Sequence, residues 1–398
     1  MIKQNSLPLD GVRVLDLTQV QFGPCATQVL GDFGAQIIKI ERPGEGDISR
    51  GTDPFIVEPN GESAYFMGLN RNKRSLALNV RKPEGLKIVS ELLGQADVLV
   101  HNFRPGVAER LGLGYDELKE TYPRLIYASG SGFGPNGPLA HKGGQDLLAQ
   151  SLSGIASRNP DANGLPQLFP TAIGDFTSGM VMVQGILMAL YQRERTGLGQ
   201  RIDVCLLDIL VTLQQQEVTQ WLLRQKEVNW VTQNLIGIFP TRDGAVTLVG
   251  VFRPNPLGDV CRALDLEDYS ARPKYSDPAS WGPNRSEIFQ LLTPGFAKFT
   301  TAECLERLDR EDVLCAPVLT LGEALVHPQI ESNGLMIEFD HPVHGKVRTV
   351  GNPLKMSSVA RIATRGAPTL GQHSEEVLAE LGYAPSDVKR LRSEGVIA

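Results

Sequence analysis

Asp175 carries the strongest chemical signal in this chain. It lies in Thr171-Ala172-Ile173-Gly174-Asp175-Phe176-Thr177-Ser178-Gly179, just before the apolar run Met180, Val181, Met182, Val183, Ile186, Leu187, Met188, Ala189 and Leu190. The run predicts a buried helix. Asp is a preferred N-cap residue, and a helix N-terminus favours its ionised form by about 0.3–1 kcal/mol. Such a carboxylate can cap the helix and do nothing more. It can also act as a nucleophile that needs no base to activate it, unlike a Ser or Thr hydroxyl. Gly174 and Gly179 predict room for a large group to approach the backbone.

Other chemistries have weaker support. His101 and His141 stand alone near loops. His341 and His344 flank a Pro- and Gly-containing turn, where turn polarity explains them better than a metal pair. Ser129-Gly130-Ser131-Gly132 lacks the glycine spacing of a nucleophile elbow. Gly23 is the one glycine of the turn after the first strand, so the dinucleotide-binding fingerprint is absent. No metal ligand set is expected.

The elements that must position Asp175 are read as follows. Val12-Arg13-Val14-Leu15-Asp16-Leu17 predicts a strand, and Thr18-Gln19-Val20-Gln21-Phe22-Gly23-Pro24 a polar turn. A helix is predicted from Cys25 to Phe33 and a second strand over Ala35–Ile40, ending at Glu41-Arg42. Strand, turn, helix and strand make a βαβ unit and hence a parallel sheet. A basic loop, Leu69-Asn70-Arg71-Asn72-Lys73-Arg74-Ser75, leads into another strand, and Asp97–Val100 is a strand that delivers His101-Asn102-Phe103-Arg104-Pro105-Gly106. In open α/β sheets ligands bind beyond the strands' carboxyl ends, where all three polar segments are expected. Pro83–Leu93 and Leu111–Tyr122 read as crossover helices, and Arg201–Gln225 as one long helix. The character changes after residue 225: Phe239–Gly250 predicts a hairpin turning at Asp243-Gly244. Short strands over Ile337–Val350 and a helix over Glu375–Glu380 close the chain. The expected organisation is a large α/β domain over residues 1–225, a smaller α+β domain over 226–330, and a return to the first over 331–398.

Taken together, Gln21-Phe22-Gly23-Pro24, Ile38-Lys39-Ile40-Glu41-Arg42-Pro43, Asn70-Arg71-Asn72-Lys73-Arg74-Ser75, Asn102-Phe103-Arg104-Pro105-Gly106, Gly174-Asp175 and Arg195-Thr196-Gly197-Leu198-Gly199-Gln200 resemble the class III CoA-transferases. The resemblance runs from about Leu9 to Trp221 and resumes from about Ala316 to Gly382. It implies a Rossmann-like large domain and a small domain in each of two chains, interlocked as rings in a homodimer. It implies Asp175 as nucleophile and coenzyme A, arriving as acyl-CoA, as a substrate rather than a permanently bound cofactor. The implied CoA-binding positions are Val20, Gln21, Arg42, Leu69, Asn72, Lys73, Arg74, Asn102, Phe103, Arg104 and Arg110, with Gly144, Gln145 and Asp146 on a further loop. The partners implied are acyl-CoA, a small carboxylic acid and a second copy of the chain.

Two departures narrow the expectation. Racemases of the family carry a His where Gln145 stands here, and a glutamine amide exchanges no proton near neutral pH. Formyl-CoA transferase has a glycine-run loop in its middle domain, whereas Val251-Phe252-Arg253 occupies that region here. Oxalate or formate is therefore not implied, and Arg253 is a candidate to pair with a larger dicarboxylate. The expected activity is CoA transfer between acids. An acyl-CoA racemase on the same scaffold and a non-catalytic acyl-CoA-binding protein stand as alternatives.

Length and composition agree with this. A chain of 398 residues holds two domains. A net charge of −6 argues against a general nucleic-acid or membrane-surface partner. Five cysteines with no CxxC spacing fit reduced thiols in the cytoplasm. Met1–Pro8 lacks the apolar core of a signal peptide, and the apolar run near 180–191 is too short to span a bilayer.

Overall fold

The computed structural model describes residues 7–53, 62–161, 163–232, 235–359, 362 and 364–398, so the expectation for the N-terminus lies, up to residue 6, outside the described residues. The chain forms two compact units, Met1–Gln215 with Gly334–Ala398, and Gln216–Asn333. Residues 216–225, expected in the large domain, and 331–333, expected in the return to it, fall in the second unit.

The first unit alternates strand and helix: β1 (Arg13–Leu17), α1 (Phe22–Asp32), β2 (Gln36–Glu41), α2 (Ala64–Leu69), β3 (Lys73–Ala77), α3 (Pro83–Leu93), β4 (Val98–His101), α4 (Val107–Arg110), α5 (Tyr115–Leu118), β5 (Ile126–Ser131), α6 (Asp146–Leu152), α7 (Ile173–Thr196), β6 (Arg201–Cys205) and α8 (Leu206–Thr212). The six strands are all parallel and ordered β3-β2-β1-β4-β5-β6. The strands are buried on both faces because alternate residues point to opposite sides. Leu15, Leu17, Leu99 and Tyr127 pack on one side with Ile88, Leu92 and Leu93 of α3. Val14, Val98, Val100, Ile126 and Ala128 pack on the other with Ala26 and Leu30 of α1 and Met182 and Ile186 of α7. Each such aliphatic side chain contributes about 1.5–3 kcal/mol by leaving water.

Three expectations change. Arg201–Gln225 is not one helix: Ile202 and Val204 alternate with Arg201 and Asp203, and this period of two completes the sheet as β6 against β5. The crossover helix over Leu111–Tyr122 shrinks to α5, because Gly112 takes φ +69° and breaks the pattern. The apolar run at 180–191 extends to the 24 residues of α7, long and apolar enough by length and composition to cross a membrane. The expectation that it is too short is corrected, although Met182, Val183, Ile186 and Ala189 of α7 lie in the core beside α1.

The second unit contains α9 (Gln215–Arg224), β7 (Ile236–Pro240), β8 (Ala245–Val249), α10 (Pro256–Ala263), α11 (Arg285–Ala297), α12 (Thr301–Arg310), β9 (Leu314–Pro317), α13 (Leu321–Leu325) and α14 (Pro328–Ser332). β7, β8 and β9 form an antiparallel sheet, with Asp243-Gly244 between β7 and β8 as expected. Phe239, Val246 and Leu248 pack with Val260, Leu292, Phe296 and Leu308 in a separate core. The chain then returns to the first unit as the hairpin β10 (Met336–His341) and β11 (Gly345–Val350), followed by α15 (Ser374–Glu380) and α16 (Pro385–Ser393).

Candidate active site

The strand order reverses between β1 and β4, and a cavity of about 340 Å3 opens there beyond their carboxyl ends. This is the switch point at which doubly wound sheets bind ligands. Its walls bring together many residues that sequence reasoning picked from separate segments. Val20 and Gln21 come from the β1–α1 turn, Asn102, Phe103 and Arg104 from the loop after β4, Gly144 and Gln145 from the loop before α6, and Asp175 from α7.

Asp175 is not the cap of its helix. The N-cap is Ala172, so Asp175 lies in the first turn of α7. Its backbone N–H donates to Asp146 Oδ2 at 2.9 Å. Asp146 is buried at the start of α6, and its other oxygen accepts from Gln150 Nε2 at 2.5 Å. A Cβ on Gly174 would come within 2.8 Å of Asp146 Oδ2, and one on Gly179 within 2.9 Å of the Phe22 carbonyl. The room these glycines leave is thus filled by the protein itself, not by a ligand. Burial pushes the Asp175 carboxyl up to about 7, and the neighbouring Asp146 charge adds to the push. The helix N-terminus acts the other way, but about 0.3–1 kcal/mol is less than the 1.36 kcal/mol that moves a pKa by one. Asp175 is therefore a partly protonated carboxyl at neutral pH. Because Asp146 holds the Asp175 N–H, that donor is not available to an oxyanion.

The turn that faces Asp175 is fixed from below. The Asn102 side chain accepts from the Gln19 N–H and donates to the Gln19 carbonyl, both at 2.8 Å. Asn102 thus pins the β1–α1 turn to the β4 loop. His101 is buried, accepts from the Phe103 N–H through Nδ1, and bonds the Tyr127 hydroxyl at 2.8 Å through Nε2. Burial pulls the His101 pKa down to about 4, so it is a neutral support for the loop and not a proton carrier there.

The basic loop before β3 lies elsewhere. It enters the strand at the amino end, because Lys73 pairs in register with Ile37 near the start of β2. Lys73 is fully buried and bonds Asp16 Oδ2 at 3.1 Å, the Pro24 carbonyl and Asn70 Oδ1. It cannot meet a phosphate in solvent, and the expectation of CoA contact is corrected. Asn72 donates to Asp32 and accepts from the Arg365 N–H. Arg74 pairs with Glu376 and Glu380 of α15, and Leu69 closes α2 outside the lining of this cavity. Asp146 lies behind the cavity wall rather than in it. Basic charge says nothing of strand direction, and the direction of β3 puts the basic loop at the amino end of the sheet.

Lys73 belongs to a buried ion network. Lys39 Nζ pairs with Asp47 at 2.8 Å and donates to the Thr18 carbonyl at 2.7 Å. Burial alone would raise the Asp16 carboxyl, but Lys73 and Lys39, with the hydroxyls of Thr18 and Thr27, hold it well below the usual range. Burial and the Lys39 charge draw Lys73 down to about 8 against the pull of Asp16.

A second cavity of about 490 Å3 adjoins the first through shared Gln19, Ile48 and Phe103; Arg42, Arg81 and Arg110 line it together with Glu41 and Glu45, and Arg42 pairs with Glu45 at 2.5 Å. Lys142, Ile48, Leu206 and the Gly130–Gly134 segment also line the first cavity and escaped the sequence reading. The available signal was the glycine-dense Ser129–Gly134 run at a strand end: a Cβ on Gly132 would meet Gly144 Cα at 2.2 Å. In the second unit, the Arg253 guanidinium is held by Asp259 at 3.0 Å and Asp312 at 2.6 Å, so it is already paired and not poised for a dicarboxylate. His341 Nδ1 accepts from the N–H groups of Val343 and His344, a turn role.

Fold and site define a doubly wound α/β protein with a carboxyl group aimed into the switch-point cleft. The chain belongs to CoA-transferase family III, whose sequence profile matches residues 9–374. It is therefore a CoA-transferase-family enzyme acting on acyl-CoA. It is 36% identical over 396 residues to the succinyl-CoA:glutarate CoA-transferase of Mus musculus, covering 98% of this chain and 90% of that protein. Identity to the formyl-CoA:oxalate CoA-transferase of Bradyrhizobium diazoefficiens is 34% over 417 residues, with 98% and 97% covered. The crystal structure of a CAIB/BAIF family protein from Brucella suis matches at a TM-score of 0.84 and 30% identity, covering 95% of this chain and 100% of that one.

Proposed function

We propose that this enzyme moves CoA from an acyl-CoA to a small dicarboxylic acid through Asp175. The observation that carries this is the partly buried Asp175 carboxyl in one cavity wall with Val20, Gln21, Asn102, Phe103 and Arg104. Ionised Asp175 attacks the thioester carbonyl, and the C–S bond breaks to give an aspartyl–acyl anhydride and CoA thiolate. The thiolate attacks the aspartyl carbonyl, releasing the first carboxylate and leaving an aspartyl-CoA thioester. The incoming carboxylate attacks this thioester and expels the thiolate. The thiolate then takes the new acyl group from the second anhydride and restores Asp175. Water must be kept out while the anhydrides exist. Arg42, Arg81 and Arg110 outnumber Glu41 and Glu45 in the lining of the second cavity, which suits the nucleotide phosphates, since guanidinium groups fork to oxyanions. The dicarboxylate follows from the relatives that act with glutarate and oxalate.

Assembly as a homodimer is part of this reading. Leu148, Leu152, Leu165, Phe176, Met188 and Tyr191 leave large apolar side chains on the surface of the first unit, and a partner subunit would cover them. The free cysteines support a reducing compartment, the cytoplasm in this reading. The test incubates enzyme with succinyl-CoA and isotope-labelled glutarate. Labelled glutaryl-CoA should form, and a quenched digest should carry CoA on the peptide containing Asp175. Label exchange without any adduct on that peptide, under conditions that trap thioesters, would overturn the covalent route.

A further inference from the structure

Val20 has φ +68°, a left-handed conformation that β-branched side chains avoid. Its side chain is nonetheless 46% exposed in the cavity wall. Such a backbone persists only where its surroundings over-determine it, and here they do so at three consecutive residues. Lys39 holds the Thr18 carbonyl and Asn102 holds both backbone groups of Gln19. Asp47 Oδ1 accepts the Val20 N–H at 3.0 Å. Asp47 is 1% exposed, and its two oxygens divide the work. Oδ1 faces Val20, the Ser49 N–H at 2.9 Å and the Ser49 hydroxyl at 2.8 Å, while Oδ2 faces Lys39 at 2.8 Å. Its own N–H donates to Glu41 Oε2 at 3.0 Å, so the clamp is tied to the end of β2.

We propose that Asp47 is a positioning residue for acyl-CoA: through the Val20 N–H it holds the Gln19-Val20-Gln21 turn in the one shape that presents Val20 and Gln21 to the cleft. This rests on the reading of the cleft as the acyl-CoA site. Asp47 does not touch the cavity; it acts through the backbone it grips, anchored by a lysine of the buried ion network. A carboxylate is required because one oxygen must accept from the Val20 and Ser49 donors while the other faces the Lys39 ammonium. An amide has one oxygen, and its NH2 would face either the Lys39 ammonium or the Val20 N–H as a second donor.

The test compares full-length wild type with Asp47→Asn, Val20→Gly and the double variant, reading steady-state kinetics and exchange of the Val20 amide with heavy water. In Asp47→Asn the KM for acyl-CoA should rise about tenfold while kcat and the KM for the acid move less than about threefold, the mark of lost ground-state binding. The Val20 amide should exchange faster. Glycine adopts positive φ as readily as negative, so in a Val20→Gly background Asp47→Asn should raise the acyl-CoA KM less than about threefold over Val20→Gly alone. If Asp47→Asn does not fold, replacing the residue-20 amide by a backbone ester removes the same bond from the turn side without restricting φ, leaves Asp47 and Lys39 paired, and should raise the same KM. A fall in active fraction with unchanged KM and no rescue by glycine would mark a merely structural residue and overturn the proposal. Unchanged exchange at Val20 would overturn it at Asp47 itself. Faster exchange with unchanged acyl-CoA affinity by calorimetry would overturn it by a different route, since the clamp would be real and acyl-CoA would lie elsewhere.

Discussion

Two pairs of acidic residues serve the same sheet in opposite ways. Asp16 and Asp47 are buried, and two buried lysines face them, so both carboxyls sit below the usual range. Asp146 and Asp175 are set side by side, and burial with like charge drives Asp175 upward. The groups that set its ionisation include no cation among the described residues. The first arrangement keeps charge inside the fold by neutralising it. The second leaves a carboxyl uncompensated, which stability alone would not select and which marks reactive sites. Charge compensation, more than charge, separates the architecture from the chemistry here.

The most severe break of that contrast is at Asp175. Asp175→Asn keeps the shape and removes the attacking anion, so transfer should fall on the order of 10^4-fold or more. Calorimetry should still find acyl-CoA bound close to wild-type strength. Transfer within tenfold of wild type would make both acidic pairs structural and erase the difference between them.

The compensated pair breaks differently. Lys73→Met leaves Asp16 buried beside one lysine instead of two, and removing one partner of a buried pair costs about 3–5 kcal/mol. Urea denaturation should show that loss, and adding Asp16→Asn should recover much of it. The acyl-CoA KM of the folded fraction should not move, because the fully buried Lys73 lines neither of the two cavities described. A KM raised tenfold at intact stability would return Lys73 to the binding surface.

How much of this was legible depended on whether the signal was local. The β1–α1–β2 unit, α3, the β7–β8 hairpin and β10–β11 followed from periodicity and turn residues, which act within a few positions. The Asn102-Phe103-Arg104 loop is legible because a strand end and a family motif coincide there, and Asp175 because a carboxylate heading an apolar helical run coincides with another motif. Lys73 and Arg74 were misjudged because their partners, Asp16 on one side and Glu376 and Glu380 on the other, are remote in sequence. The same holds for Arg253 with Asp259 and Asp312. A cation's role depends on which carboxylate the fold brings to it, and no spacing rule states that. Asp47 was invisible for the same reason, since its partner Val20 lies in a different loop. β6 was lost inside a predicted helix because an edge strand of five residues is too short to outweigh the Leu-rich run behind it.

The gentlest test separates the two pushes on Asp175. If only its ionised form attacks, kcat/KM should climb with pH and level off above about 7. Asp146→Asn removes the like charge, while the amide oxygen can still accept the Asp175 N–H. The acid limb should then move to lower pH but stay above the ordinary Asp value of about 3.9, because burial is the larger cause and remains. Stability carries the opposite sign. With a raised folded-state pKa, the folded chain binds more protons than the unfolded one between about pH 4 and pH 7, so stability falls as pH rises through that window. Asp175→Asn abolishes this loss, so its Tm should match wild type at about pH 4 and exceed it at about pH 8. A Tm difference that stays the same at both values would mean that Asp175 titrates as an ordinary surface carboxyl. The acidic pair at the head of α7 would then be no more reactive than the pair beneath the turn.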